Sequence, residues 1–442
     1  MHIHVLPLAR PTFDVPYAEE ALAAMRARLD AWAEAGGHRV TGSDALLMGA
    51  EDGALDASAD VLLILQVTFT DAGFATAAAC GFDGRVAVWA AREPRAGGRL
   101  RLNAMCGLNL LSHALGLAGR DFAWAYGEAA DLDALTTGPL ADRPPLAEAD
   151  AAPRPVRALR IGRIGAHPDG FDTCRYDAGA LKALAGAEVE EIPLPDLFDR
   201  ARAVPEEAVA PYAAKAAGLV GAGELDAGEM DRSTRLAAAL DGLRAERRFD
   251  AMAIRCWPET FTEYGGAVCG PVSMLGEARV PCACEADVYG ALTQSILQDV
   301  ADAPVFLADL VDADDDTVVA WHCGQAPASM AAGTPEATVH TNRRQALLYQ
   351  FALRPGRVTL FRVSQANGAP HVALATGEVV DAPMAFTGTS GTIRPDGGGA
   401  AFLRTLIDAR LEHHMALAYG DHAAALRGVA AGLGVPVLEM TA

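Results

Sequence analysis

Apolar and polar positions along the chain first alternate between two periods. His2 to Leu8 is a short apolar run of strand length, and Tyr17 to Ala35 carries Ala, Leu and Arg at helical spacing before a Gly36-Gly37 stop. Val61 to Val67, apolar but for Gln66, is a run of strand length bounded by acidic residues and Thr, the pattern of a parallel strand buried on both faces, and Val86 to Ala90 is another. Gly98 to Asn109 follows, then an apolar helix from Leu110 to Leu117. Residues 143–155 read RPPLAEADAAPRP, too rich in proline for a helix or a central strand, and predict a linker. Strand signals resume at Leu159–Gly165, Val189–Pro193 and Phe249–Ile254, with Ala-rich helices over Glu206–Gly218 and Met230–Arg248.

Beyond about residue 300 the texture changes. Short β-like runs at Gln345–Leu353, Arg357–Gln365, His371–Thr376 and Pro383–Gly388 alternate with turn signals, of which Arg354-Pro-Gly-Arg and Ala366-Asn-Gly-Ala read as hairpin turns. A helix over Ala400–Leu411 precedes a pair of histidines, and Val435 to Leu438 is a last strand. The pattern predicts an α/β protein. Two Rossmann-like α/β domains, residues 1–150 and 151–300, are followed by a C-terminal antiparallel β domain, residues 301–442.

At 442 residues the chain is too long for one core. Its formal charge of −21 argues against nucleic-acid and anionic-membrane partners, because both require a basic face. No apolar run is long enough to span a membrane, and the start MHIHVLPLARP lacks the features of a secretory signal, so a cytoplasmic location is expected. The eight cysteines are scattered; Cys282-Ala-Cys284 has no second pair to make a zinc site, and all eight read as reduced thiols. Gly162-x-x-Gly165 lacks the third glycine of a dinucleotide fingerprint, so no nicotinamide cofactor is expected.

The candidate chemistry lies between Ile254 and His322. Pro281 to Cys284 reads as a strand delivering Glu285 and Asp287, Val305 to Ala308 as a strand delivering Asp309, and Val318 to Trp321 as one delivering His322. Two acids and an imidazole on rigid elements suit a divalent cation of the Mn2+ or Mg2+ kind. Each acid alone also reads as a turn or helix cap, and Asp287 fits the cap of the helix beginning at Val288. Trp257 reads as a sugar-stacking or packing residue. Asn103, Gly107 and Asn109 form either a helix-capping turn or a polar loop at a strand's carboxyl end, where α/β sheets bind ligands.

Glu285 is followed twenty-four residues later by Asp309 in the setting Val305-Phe-Leu-Ala-Asp309, and Glu412-His413-His414 lies near the C-terminus. With the Asn103-x-x-Cys106-Gly107-x-Asn109 stretch, this arrangement resembles the L-fucose and L-arabinose isomerase superfamily. The resemblance implies a metal-dependent aldose–ketose isomerase working through an enediol on an open-chain sugar. It implies Glu285, Asp309 and His414 as metal ligands, with Glu285 and Asp309 also the acid/base pair, and His322 in or beside the metal shell. Trp257, His322, His413, Asn103 and Arg175 are candidates for contact with the sugar. Some relatives in this superfamily resemble isomerases of the sulfonated sugar sulfoquinovose. For such an anion Arg175, Arg255, Arg343 and Arg344 are available, although each also reads as a surface or salt-bridge residue. The Asn103–Asn109 loop has no evident partner in its own chain's site, and together with the resemblance this implies a homo-oligomer in which the loop closes a neighbouring subunit's site. A non-catalytic sugar-binding protein, and a lyase or epimerase with the same enediolate chemistry, are the alternatives.

Overall fold

A computed structural model describes residues 1–49, 54–128 and 130–440. The first sheet holds β1 (His2–Leu8), β2 (Arg39–Gly42), β3 (Val61–Gln66), β4 (Arg85–Ala90) and β5 (Ala123–Tyr126), in the order β2-β1-β3-β4-β5, all parallel. β3 is buried along its whole length, as its apolar run requires. The first helix, Val15–Gly36, starts where Asp14 accepts a hydrogen bond from the Tyr17 N–H and stops at Gly37, whose φ of 65° closes the turn.

The second sheet is built from β6 (Arg160–Ile164), β7 (Glu188–Ile192), β8 (Ala251–Ile254) and β9 (Cys282–Ala283), in the order β7-β6-β8-β9, again all parallel. Both strand orders reverse beside the first strand of their unit. Ligands bind at such reversals, beyond the carboxyl ends of the strands.

The remaining strands are β10 (Phe306–Ala313), β11 (Val318–His322), β12 (Glu336–Thr338), β13 (Leu348–Ala352), β14 (Gly356–Ser364), β15 (His371–Val379), β16 (Thr389–Pro395), β17 (His414–Tyr419) and β18 (Val437–Glu439). Six of them run β16-β11-β10-β17-β14-β15, and a further β15–β16 pairing closes them into an antiparallel barrel. Closure removes the exposed edges that an open sheet would leave. β13 joins β16 and β18 joins β15 in parallel, so the C-terminal sheet is not antiparallel throughout.

The sequence expectations need four local corrections. Arg354–Arg357 does not turn a hairpin, because β13 and β14 pair with other strands. Residues 383–388 are irregular and the strand begins at Thr389. The helix expected at Leu110 begins at Ala104, which puts Gly107 and Asn109 inside it rather than in a loop. Finally, Asp309 lies in the middle of β10 and not at its end, since the apolar run continues through Leu310-Val311 to a bulge at Asp312.

Buried side chains join the three parts. The helix Val288–Ala301 is buried on eleven positions between the second sheet and the barrel, sharing a core with Ile161, Ala251, Val363 and Ala416. On the other side Asp312, 1% exposed, accepts hydrogen bonds from Arg92 (2.8 Å), Arg95 and Tyr126 (2.6 Å) of the first unit. The second acid of β10 therefore ties the barrel to the first sheet, while the first acid is left facing a pocket.

Candidate active site

The pocket opens where the carboxyl ends of both parallel sheets meet the barrel. Arg10 and Phe69 enter it just after β1 and β3, Trp257 after β8 and Glu285 after β9, with Asp309 and His322 from the barrel. Both chain reversals therefore point into the same cavity.

Glu285 sits in a single turn, Cys284–Ala286, that separates β9 from the helix Val288–Ala301. Its φ is 57° and that of Ala286 is 54°, conformations that cost about 1–3 kcal/mol each for residues with a side chain and persist only where the surroundings hold them. Here both carboxylate oxygens are held. Trp257 Nε1 donates to Oε1 at 3.2 Å, and His413 Nε2 lies 2.8 Å from Oε2. Burial alone would raise the Glu285 pKa; the hydrogen bond to His413 and the nearby charges of His413 and His414 outweigh it and hold the carboxyl below its ordinary value.

Asp309 and His414 stand opposite each other on neighbouring antiparallel strands. His414 Nε2 lies 3.3 Å from Asp309 Oδ1 and 3.7 Å from Glu285 Oε2. Burial would raise the Asp309 pKa, but His322, His414 and His413 bring it down to about 2. The other face of His414 is fully occupied. Nδ1 lies 2.9 Å from Asp287 Oδ2. Asp287 in turn receives Arg362 Nη1 at 2.6 Å and Nη2 at 3.2 Å, and its Oδ1 caps the following helix through the Gly290 N–H at 2.7 Å. The cap reading of Asp287 is thus correct but incomplete, because the same carboxylate fixes the tautomer and tilt of His414. Arg362 is fully buried, so its charge is matched by Asp287 and, at 3.8 Å, by Glu412. Burial by itself would lower the His414 pKa; the hydrogen bond to Asp287 and the close negative charges of Asp309 and Asp287 carry it up to about 10.

His322 ends β11 with its ring 5.8 Å from that of His414. Its Nδ1 accepts the Cys323 N–H at 2.8 Å, which puts the ring proton on Nε2, where the ring has no partner. Burial pushes its pKa down to about 4, so it enters the pocket neutral.

The donor set fits a divalent cation. Ligand atoms of Asp309, His322 and His414 lie within 4.8 Å of one another, as do those of Cys174, Glu285, His413 and His414, although His322 with its proton on Nε2 is no ligand. Octahedral ligands at about 2.1 Å from Mn2+ or Mg2+ stand about 3.0 Å apart on adjacent vertices and 4.2 Å on opposite ones, and the 3.3 Å and 3.7 Å separations around His414 Nε2 fall in that window. Asp309 Oδ1 and His414 Nε2 are both buried with no hydrogen-bond partner among the described residues. Cys174 is a poor member of the set, because burial raises its thiol pKa well above the usual value.

Asn103 also lines the pocket, with φ 50° and its Oδ1 buried and unpartnered. Buried Glu93 holds it there by accepting the backbone N–H groups of Arg101, Leu102 and Asn103. Asn109 donates to the Leu411 carbonyl at 2.7 Å, securing the same helix to the segment that carries the histidine pair. This stretch has its partner in its own chain, which corrects the reason for expecting it in a neighbouring subunit's site. Arg175 is also misplaced by the sequence reading: it is exposed, pairs with Asp172 at 3.1 Å and does not line the pocket. Sequence reasoning missed Arg10, Arg362 and His340. A residue directly after the first parallel strand could have been suspected from the sheet rule alone, which points to Arg10. Arg362 carried no such signal, since it sits in an apolar strand and finds Asp287 only in three dimensions.

Comparison with known proteins agrees with this geometry. Residues 321–441, which include His322, His413 and His414, match the family model described as "L-fucose isomerase, C-terminal domain". The chain is 34% identical over 391 residues to a sulfoquinovose isomerase of Alkalicoccus urumqiensis, covering 87% of this chain and 86% of that protein. Sulfoquinovose isomerases of Priestia aryabhattai and Clostridium sp. (strain MSTE9) are 30% and 31% identical, each with 94% of both chains covered.

Proposed function

The chain belongs to the fucose-isomerase-like superfamily, in its sulfoquinovose-isomerase-like branch, and is an aldose–ketose isomerase; from that premise we propose that it isomerises sulfoquinovose or a closely related sulfonated aldose, with a divalent cation held by Glu285, Asp309 and His414. The observation that carries the metal reading is the pair of buried, unpartnered atoms Asp309 Oδ1 and His414 Nε2 at 3.3 Å, with Glu285 beside them.

Moving the carbonyl from C1 to C2 requires that the C2 proton leave and a proton arrive at C1, with one hydroxyl proton passing between O2 and O1. A bound cation supplies Lewis-acid polarisation of the carbonyl. Glu285, ionised and fixed by Trp257 and His413, takes the C2 proton to leave a cis-enediolate and returns it at C1. Asp309, also ionised, accepts the 2-hydroxyl proton and gives it back at O1. Neutral His322 offers its Nε2–H as a donor to a sugar oxygen. Asp287 and Arg362 hold His414 in place from behind and do not line the pocket.

Metal analysis of the purified protein, followed by assays on sulfoquinovose, L-fucose and D-arabinose with added Mn2+, tests the reading. The expected result is conversion of sulfoquinovose to its ketose, with deuterium at C2 lost to water or moved to C1. Equal turnover by chelator-treated and Mn2+-loaded protein would overturn the metal assignment.

A further inference from the structure

Arg10 and Arg343 stand on opposite loops of the pocket and converge on one indole. The Arg10 guanidinium carbon lies 4.8 Å from the centre of the Trp257 ring and that of Arg343 lies 5.9 Å from it. Both arginines line the pocket and are half-buried. The chain carries 57 acidic against 36 basic residues, and other candidate arginines have found acids: Arg255 bonds Glu259 at 2.6 Å, and Arg175 bonds Asp172. Among the described residues neither Arg10 nor Arg343 forms a salt bridge, and Asp71 and Glu285 attract Arg10 only from a distance.

The loops that present them are ordered by hydrogen bonds to uncharged acceptors. Arg99 donates to the Asn342 Oδ1 at 2.8 Å and to the Thr12 carbonyl at 2.9 Å, tying the two loops together. His340 Nδ1 accepts the N–H groups of Asn342 and Arg343 at 3.2 and 3.3 Å. The backbone N–H of Arg10 is anchored on Thr68 at 2.8 Å. Burial lowers the pKa of each; at Arg10 the charge of Arg343 adds to that, and Asp71 and Glu285 oppose it from a distance. The fork geometry of guanidinium suits an oxyanion with several equivalent oxygens.

We propose that Arg10 and Arg343 clasp the sulfonate at the distal carbon of the sugar, with Trp257 as the floor between them. The proposal rests on reading the pocket as the isomerase site. Trp257 sets the spacing: its Nε1 is bonded to Glu285, so C1 and C2 lie at one end of the indole and the clasp over its ring. The open chain of a hexose has four carbons beyond C2 to cross that ring.

The test compares Mn2+-loaded wild type with R10Q, R343Q and R10K on sulfoquinovose, D-glucose and glucose 6-phosphate. In R10Q and R343Q, kcat/KM for sulfoquinovose is expected to fall roughly 10- to 100-fold, the loss of one charge-assisted contact. The ratio of sulfoquinovose to D-glucose should fall at least tenfold, with R10K in between. Equal losses on both sugars, no loss on sulfoquinovose, or a wild-type preference for glucose 6-phosphate would overturn the clasp. Calorimetric binding of sulfoquinovose to chelator-treated protein separates the two readings. If wild type turns over no sugar, the isomerase reading fails, while binding that both variants lose still upholds the clasp. Binding equal in wild type and variants overturns it.

Discussion

Asp309 Oδ1 and His414 Nε2 face each other at 3.3 Å across a register pair of β10 and β17, and neither buried atom has a hydrogen-bond partner among the described residues. Two strands of a closed barrel cannot slide without breaking the whole ladder, so this juxtaposition is fixed by backbone pairing rather than by the side chains. Glu285 approaches from a different sheet and completes the set.

Glu285→Gln keeps the size of the side chain and removes the base. Isomerisation should drop by about 10^2- to 10^4-fold. The melting temperature should stay near that of wild type, because the amide can still accept the Trp257 N–H. Steady-state assay with a thermal melt checks both, and near-normal turnover would exclude Glu285 from the chemistry.

Asp287→Asn should weaken Mn2+ binding by roughly 10- to 100-fold, the usual effect of losing a carboxylate behind a ligating histidine. It also leaves the fully buried Arg362 with Glu412 as its nearest acid at 3.8 Å, so a stability loss of about 3–5 kcal/mol is expected. Metal titration and chemical denaturation read the two effects separately. Unchanged metal affinity would mean that Asp287 serves only Arg362 and the helix cap.

Trp257→Phe retains an aromatic face but loses the donor at 3.2 Å to Glu285. A hydrogen bond to a charged group contributes about 1.5–3 kcal/mol, so kcat should fall on the order of tenfold or more while the fold survives. A variant with reduced affinity for sugar and unaltered kcat would assign Trp257 to stacking alone.

His113 gives a pH dependence away from the metal ligands. It is fully buried, its Nδ1–H donates to the Arg410 carbonyl at 2.9 Å, and burial lowers its pKa. Unfolded, it titrates near 6.5, so the unfolded chain takes up a proton that the fold refuses. Its contribution to stability is complete above about pH 6.5 and is lost as pH falls below that value, by up to about 1.4 kcal/mol per pH unit. His113→Asn keeps a donor for Arg410 and cannot titrate, so its stability should decline less steeply than wild type between pH 6.5 and 5. Parallel curves from urea denaturation would refute the assignment.

Periodicity alone determined the two parallel α/β units and the change to short strands after them. A strand such as Val61–Gln66, apolar at every position but the last, must be buried on both faces, and a proline-dense stretch such as residues 143–155 cannot carry a ladder. The spacing of Glu285 and Asp309 and the His413-His414 pair marked the site, because their residue types in those settings resembled a known pattern. Pairing of strands was beyond such reading. A run of apolar residues does not say where its strand stops, so Asp309 was read at an end when it lies at mid-strand. Nor does it say which strands are neighbours, so barrel closure and the apparent hairpin at Arg354 were decided by long-range contacts. The same holds for charge. Arg175, Arg343 and Arg362 are the same residue type in sequence, yet one is exposed on Asp172, one lies on the Trp257 ring and one is buried on Asp287. Which role each takes depends on the acid or ring that the fold brings within a few ångströms, and no local pattern encodes that distance.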